Sequence, residues 1–140
     1  MTLVLHATPQ EVMRAVEALQ EFGQARQIPD KSLFGLTLAL EECGSNIVHH
    51  ALRGDPRQKF RVAIEHSGTA VTIELRDRGP EFDPTQARVV EPAACDDDRP
   101  PGGWGIQLVR HYVDEIHYAR DAGENVLRLT KRLVPATHKE

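Results

Sequence analysis

The stretch that decides the fold is residues 58–77, with the sequence QKFRVAIEHSGTAVTIELRD. Apolar and polar residues alternate twice in it, from Phe60 to Ile64 and from Val71 to Leu75. Alternation puts successive side chains on opposite faces of a strand, so each strand has one buried and one wetted face. The link Ser67-Gly68-Thr69 is too short for a crossover, which predicts a hairpin of strands Gln58–His66 and Ala70–Asp77. Such strands favour an antiparallel sheet covered by helices on one side.

Two helices are predicted before this hairpin, after a short strand over Thr2–Ala7. The first begins where Thr8 can cap, Pro9 fits the first helical position and Glu11 completes a capping box. The second runs from Asp30 to about Leu52, because its apolar residues recur every three or four positions.

The chain after the hairpin divides into three parts. Residues 79–103 have no sustained period and contain five prolines, and a stretch of this kind in a small domain is usually functional or mobile. A third helix is predicted from Trp104 to about Val113. A second hairpin comes next, with strands Glu115–Arg120 and Asn125–Leu133 joined at Asp121-Ala122-Gly123. The order β-α-α-β-β-loop-α-β-β favours an α+β two-layer sandwich with a mixed, mainly antiparallel sheet over a doubly wound parallel sheet.

Composition limits the kind of protein this can be. The 140 residues fit one domain over residues 1–140, and the net charge of -4 argues against non-specific nucleic-acid binding. Two cysteines at distant positions form no CxxC pair. No apolar run is long enough for a membrane span, and the N-terminus lacks a basic leader, so we expect a cytoplasmic protein.

The second helix carries the first candidate site. Glu42 and Asn46 are one turn apart, so their side chains share a face. Their oxygens suit Mg²⁺, which keeps several waters and binds phosphate oxygens; the carboxylate can instead accept a proton as a general base. The alternative is an ordinary solvated face of an amphipathic helix.

Two glycine-bearing turns supply the other candidates. Asp77 ends a strand and can accept a hydrogen bond from an exocyclic amine such as that of adenine, and Gly79 lets the backbone approach a flat ring. Gly102-Gly103-Trp104-Gly105 precedes a helix, whose N-terminal N–H groups favour anions. The alternatives are a plain turn and a flexible hinge. Neither a GxxxxGK[ST] run nor a GxGxxG run is present, which excludes a P-loop and the dinucleotide fingerprint.

The order and spacing of these segments resemble one family, the GHKL ATPase/kinase superfamily. Residues 40–51, LEECGSNIVHHA, resemble its N-box, and residues 75–84, LRDRGPEFDP, resemble its first glycine box. Residues 102–109, GGWGIQLV, resemble the second glycine box. Val113–Ile116 resembles the segment after the second glycine box, and Asn125–Lys131 resembles the closing strand of the family. The form DxGxxFDP points to the branch of anti-sigma factors with serine/threonine-protein kinase activity.

This resemblance implies the Bergerat ATP-binding fold, with ATP and Mg²⁺ as cofactors, and a role for each matching residue. Glu42 would be the catalytic base and Asn46 the Mg²⁺ ligand. Asp77 would bind the adenine amino group, with Gly79 beneath the ring, and residues 85–101 would form the ATP lid. The remaining expected nucleotide-binding residues are Gly103 and Gly105 at the phosphates, Thr130 in the adenine pocket, and His50, Phe82 and Ile106.

The resemblance also implies partners. Members of this branch transfer the γ-phosphate to a serine or threonine of a STAS-type anti-sigma factor antagonist, sequester a sigma factor and often form homodimers. No direct nucleic-acid or membrane partner is expected. One alternative is a non-catalytic ATP-binding module that acts by partner switching alone. Another is the catalytic part of a two-component histidine kinase, which the absence of a phosphoacceptor helix disfavours.

The sequence departs from the family pattern in three places. Gly44 interrupts the N-box helix and should weaken it by roughly 1 kcal/mol relative to alanine. Trp104 lies between two glycines expected at the phosphates, and the acidic run Asp96-Asp97-Asp98 lies in the expected lid. The neighbours His49 and His50 point to different faces of a helix, so a zinc site is disfavoured.

Overall fold

The computed structural model describes residues 1–86 and 105–133. In these ranges the strands are β1 (Thr2–His6), β2 (Lys59–Ser67), β3 (Ala70–Asp77), β4 (Glu115–Asp121) and β5 (Glu124–Arg132). The helices are α1 (Pro9–Ala25), α2 (Asp30–Asn46) and α3 (Gly105–Tyr112), with a π-helical turn at Ile47–Ala51 and a 3₁₀ turn at Pro84–Gln86. The predicted order of helices and strands is confirmed.

The five strands form one sheet in the order β1-β2-β3-β5-β4, and every pairing is antiparallel. β2 and β3 are the predicted hairpin, and β4 and β5 turn through Ala122 and Gly123. Both turn residues have positive φ, 53° and 82°, as a two-residue hairpin turn requires. The sheet is therefore wholly antiparallel, where the sequence predicted a mixed one.

Alternation along the strands separates two faces of the sheet. The inner face packs against the helices and is fully apolar at its centre, with Val62, Ile64, Ile73 and Leu75 each at 0% exposure. Leu36 and Leu40 of α2 lie in the same core. The outer face carries ion pairs, among them Arg61–Glu124 at 2.6 Å and Arg128–Glu74 at 2.6 Å. The α+β two-layer sandwich is confirmed.

Two helix boundaries differ in part from the prediction. The Thr8 cap is confirmed, because Thr8 Oγ1 accepts the Glu11 N–H at 3.2 Å, while Glu11 Oε1 accepts the N–H of His6 rather than that of Thr8. The prediction that the second helix continues to about Leu52 is wrong in its last turn. α2 ends at Asn46, and Ile47–Ala51 winds as a π-helix, with the Leu52 N–H donating to the Ile47 carbonyl at 2.8 Å. Apolar spacing alone does not distinguish the two windings.

Glycines set the distances between the helices. Gly44 packs on α1, since a Cβ there would lie 3.1 Å from Val12 Cγ1. The glycine that weakens α2 therefore also allows this helix to pack closely against α1. A Cβ at Gly35 of α2 would lie 2.9 Å from Tyr112 Cδ1, and one at Gly105 would lie 2.8 Å from Glu42 Cγ.

These last two contacts define how α3 lies on α2. Gly35 meets Tyr112 and Glu42 meets Gly105, so the helices run antiparallel. The contacting residues are seven apart on each helix, which is two helical turns or roughly 10 Å. α3 is thus fixed on α2 at both of its ends by a glycine.

We predict that Gly35→Val destabilises the protein by about 1–3 kcal/mol, because the added side chain would overlap the Tyr112 ring. Urea unfolding of four proteins measures the effect: the wild type, Gly35→Val, Tyr112→Ala and the double variant. The valine should cost less when the ring is absent. An equal cost with and without Tyr112 would rule out this contact as the cause.

Candidate nucleotide-binding site

The candidate site lies where α2 and the π-helical turn cross the end of β3. Asp77 is the last residue of β3 and is 4% exposed. It lies on the inner face, in line with Leu75, Ile73 and Val71. The strand therefore delivers a carboxylate to the rim of the hydrophobic core, on the side covered by helices.

Burial makes the Asp77 charge costly, and hydrogen bonds offset that cost. Burial raises the pKa of the Asp77 carboxyl above its ordinary value, whereas the Asn125 amide, the Gly79 N–H and the charge of Arg120 lower it. The Gly79 N–H donates to Asp77 Oδ1 at 2.9 Å, and Asn125 Nδ2 donates to the same oxygen at 2.9 Å. Two hydrogen bonds to Oδ1, one from the loop after β3 and one from β5, therefore hold the Asp77 carboxylate in place.

Gly79 cannot carry a side chain in this position. A Cβ on Gly79 would lie 2.5 Å from the carbonyl oxygen of Ala51, the last residue of the π-helical turn. The chain after β3 therefore passes directly over the backbone that comes after α2. This close approach brings the first glycine turn and the end of the N-box segment together.

The residues around Asp77 enclose a small cavity. It has a volume of about 20 Å³, which is room for about one water molecule. Predicted residues Asn46, Asp77 and Phe82 line it, together with Cys43, Ile47, Leu75, Pro84, Tyr118, Asn125 and Leu127. This volume is too small for a purine ring.

Asn46 is a buried polar residue in this wall. Asn46 is 9% exposed and has helical backbone angles immediately before the π-helical turn. A buried carboxamide requires hydrogen-bond partners, which a ligand or water can supply. Its oxygen is of the type that Mg²⁺ accepts, so the residue fits the metal role that the resemblance implies.

Glu42 lies one turn before Asn46, outside the cavity lining and against the first residue of α3. A Cβ on Gly105 would overlap the Glu42 carboxylate. Burial first, and the neighbouring charge of Glu41 second, raise the pKa of Glu42. A carboxyl group with a raised pKa beside a helix N-terminus is suited to accept a proton from a hydroxyl group.

Two further predicted residues lie at the mouth of the site. The rings of His50 and Phe82 stack with centroids 5.8 Å apart and an interplanar angle of 25°. His50 belongs to the π-helical turn and is exposed, whereas Phe82 is half-buried. Ile106 is the residue after Gly105 in α3 and is also half-buried. Gly103, Trp104 and the expected lid beyond Gln86 lie outside the described residues.

The expectation for Thr130 is contradicted. Asp77 pairs with Asn125 across β3 and β5, whereas Thr130 pairs with Thr72. Thr130 is thus five residues, or roughly 17 Å, along the strand from the Asp77 pairing, and its side chain faces the outer side of the sheet. The residue that the closing strand supplies beside Asp77 is Asn125.

Sequence reasoning missed Asn125, Tyr118 and Arg120. Asn125 Oδ1 accepts from the Tyr118 hydroxyl at 2.5 Å and from Arg120 Nη1 at 3.1 Å. Asn125 is the second strand residue after the Ala122-Gly123 turn, and only the register of β5 against β3 shows that this position lies at the end of β3. Tyr118 and Arg120 carried no signal in the sequence either.

The described residues also bear on metal and membrane binding. In residues 1–86 and 105–133, no three His, Cys, Asp or Glu side chains come together as a metal-binding group. Within the same ranges, no helix is long and apolar enough to cross a membrane.

Comparison with known proteins identifies the family. Residues 5–131 match the histidine kinase-like ATPase domain, a description that implies ATP as the ligand. The chain is 31% identical over 134 residues to serine/threonine-protein kinase BtrW of Bordetella bronchiseptica, which covers 96% of this chain and 94% of that protein.

A solved structure supports the fold. The structure of the RsbU and RsbW domains of Rv1364c from Mycobacterium tuberculosis matches with a TM-score of 0.63 and 20% identity. The match covers 100% of this chain and 35% of that longer one. With the family model spanning most of the chain and a relative above 30% identity, this chain belongs to the histidine kinase-like ATPase family.

Proposed function

We propose that this chain is a serine/threonine-protein kinase that binds ATP and Mg²⁺ and phosphorylates an anti-sigma factor antagonist. The observation that carries the proposal is the cavity that Asn46 and Asp77 line, with Glu42 one turn before Asn46 on the same helix and against Gly105. Similarity to a serine/threonine-protein kinase over nearly the whole chain supports the same activity.

Each group has a chemical role in this proposal. Asp77 accepts a hydrogen bond from the adenine amino group, and Asn46 supplies an oxygen ligand to Mg²⁺. When bound, Mg²⁺ neutralises charge on the phosphates. Gly105, at the N-terminus of α3, meets the phosphates in this proposal because a helix N-terminus favours anions.

Glu42 is the proposed general base. A serine or threonine hydroxyl of the partner gives its proton to the Glu42 carboxylate while its oxygen bonds to the γ-phosphorus. The bond from that phosphorus to the β,γ-bridging oxygen breaks, and ADP leaves. The half-buried position of Glu42 next to Gly105 brings the base close to the helix end where the phosphates are expected.

The partners of this proposal are those of the family branch. The acceptor is a STAS-type antagonist protein; the kinase also sequesters a sigma factor and acts as a homodimer. The alternative is an ATP-binding regulator that switches partners without phosphoryl transfer. The two differ in whether Glu42 is needed.

We predict that Glu42→Gln abolishes phosphoryl transfer and leaves ATP affinity within about threefold of wild type, because the amide keeps the shape but accepts no proton. Transfer is measured with labelled ATP, Mg²⁺ and the cognate antagonist, and affinity by calorimetry. Transfer at the wild-type rate in this variant would remove Glu42 as the base. Wild-type protein that binds ATP but transfers no phosphate would favour the regulator.

We also predict an acid limb in the pH profile of transfer. Glu42 must be ionised to accept a proton, and its pKa is raised above the ordinary 4.5. The rate should therefore fall as pH drops through that raised value, with the midpoint above 4.5. A midpoint at or below the ordinary glutamate value would contradict the assignment of this limb to Glu42.

We predict that Asp77→Asn weakens ATP binding about tenfold or more, since the carboxylate is the stronger acceptor for an amine and the variant places two carboxamides face to face. Calorimetry with ATP measures the loss. Arg128→Gln on the outer face of β5 is the control and should bind ATP as the wild type does. Unchanged affinity in Asp77→Asn would contradict the adenine assignment.

A further inference from the structure

Asn125 occupies the centre of a hydrogen-bond network that joins the end of β3, the loop after it and strand β4. Its side chain is 4% exposed. Nδ2 donates to Asp77 Oδ1 at 2.9 Å and to the Pro80 carbonyl at 2.9 Å. Oδ1 accepts from the Phe82 N–H at 3.1 Å, besides the Tyr118 hydroxyl and Arg120 Nη1.

The partners fix the orientation of this amide. Asp77 Oδ1, as a carboxylate, and the Pro80 carbonyl can only accept, whereas the Phe82 N–H and Arg120 can only donate. Turning the amide over would oppose donor to donor and acceptor to acceptor. The position therefore requires one group that donates twice and accepts from several donors, which a carboxamide is.

The same network positions the loop that would contact the base. Asn125 holds the Pro80 carbonyl and the Phe82 N–H, and Arg120 Nη1 donates to the Gly79 carbonyl at 2.8 Å. Gly79 and Phe82 are the two loop residues expected at the nucleotide. The Asn125 side chain on β5 thus ties the acceptor Asp77 to Pro80 and Phe82, while Gly79 is bonded to Arg120 of β4 and to Asp77 itself.

The hydrogen bonds that Asp77 accepts from the described residues end on Oδ1. With Oδ1 engaged by Gly79 and Asn125, Oδ2 is the oxygen through which Asp77 can meet an exocyclic amine. The direction of the carboxylate is set from β5.

We propose that Asn125 is a positioning residue for base recognition: it orients Asp77 and the loop of residues 79–82 toward the adenine ring without touching the phosphates. This inference rests on the proposed nucleotide-binding function. It adds that binding of the adenine base depends on the start of β5, while binding of the phosphates depends on α2 and α3.

Separate ligands test the two halves. Asn125→Ser shortens the side chain and removes the bridge between Asp77 and the loop. It should weaken ATP binding about tenfold or more while leaving the affinity for magnesium tripolyphosphate, which has no base, within about twofold. Both ligands are titrated by calorimetry, with Arg128→Gln as the matched control on the same strand.

The outcomes are distinguishable. Equal losses for ATP and tripolyphosphate would show a general structural role and overturn the proposal, as would an ATP affinity equal to wild type. Failure of the wild-type protein to bind ATP would instead refute the proposed function. Circular dichroism and thermal unfolding of each variant establish that the titrated protein is folded.

Asn125→Asp gives a second test with nearly the same side-chain size. Two carboxyl groups in the place of the Asp77–Asn125 pair would share a proton, which restores a donor toward Asp77 at low pH; at higher pH both ionise and repel. ATP affinity should therefore be below that of the wild type at every pH, since a carboxyl group that donates to Asp77 cannot also donate to the Pro80 carbonyl, and it should fall further as pH rises and both groups ionise.

Other ionisable groups surround this pair and are common to both proteins, so the ratio of affinities at each pH removes their effect. They are Arg120 and Tyr118 on β4, Glu124 on β5, Cys43 on α2, His50 on the π-helical turn, and Arg78, Glu81 and Asp83 in the loop. An ATP affinity equal to that of the wild type over the whole pH range would show that no hydrogen bond from residue 125 to Asp77 supports ATP binding.

Discussion

The buried carboxylate of Asp77 is the constraint on which the rest of the site depends. A charge at the rim of a hydrophobic core is tolerated only when donors surround it, and here one donor comes from the loop directly after β3 and the other from β5. Gly79 must turn back over Asp77, which forces the loop against the Ala51 carbonyl. Asn125 must stand opposite, which requires β5 to lie beside β3 in this register. The order of the strands in the sheet and the path of the loop after β3 together supply the hydrogen bonds that this buried carboxylate needs.

The π-helical turn is a second structural feature that shapes the site. A π-helix is rare and often marks a functional position, because its wider winding interrupts the regular side-chain spacing. Here it begins directly after Asn46 and ends at Ala51, the residue whose backbone Gly79 approaches. It also places the His50 ring over Phe82. The change of winding thus joins the helix that carries Glu42 and Asn46 to the loop after Asp77.

Local patterns were sufficient to predict most of the fold. Alternation from Phe60 to Leu75 defined the central hairpin and its buried face, and the apolar spacing of α1, α2 and α3 defined the helices. The winding of Ile47–Ala51 could not be predicted, because apolar spacing is compatible with both α- and π-helical winding. For the site, the roles expected for Glu42, Asn46 and Asp77 were drawn from a family resemblance, and the structure brings these residues together. The expectation for Thr130 was wrong because similarity to a strand sequence does not determine how that strand pairs with its neighbour. Asn125 was recognised only from the pairing of β3 with β5.

The two glycine contacts of α3 restrict how that helix can move. Sliding α3 along α2 by one residue would replace Gly105 opposite Glu42 by a residue with a side chain, where even a Cβ lies 2.8 Å from Glu42 Cγ. Translation along the axis is therefore opposed at the Gly105 end, whereas tilting or lifting away from α2 is not. A rearrangement around Gly105 is then easier as a rotation about the Tyr112 end or as a separation of the two helices than as a shift along the helix axis.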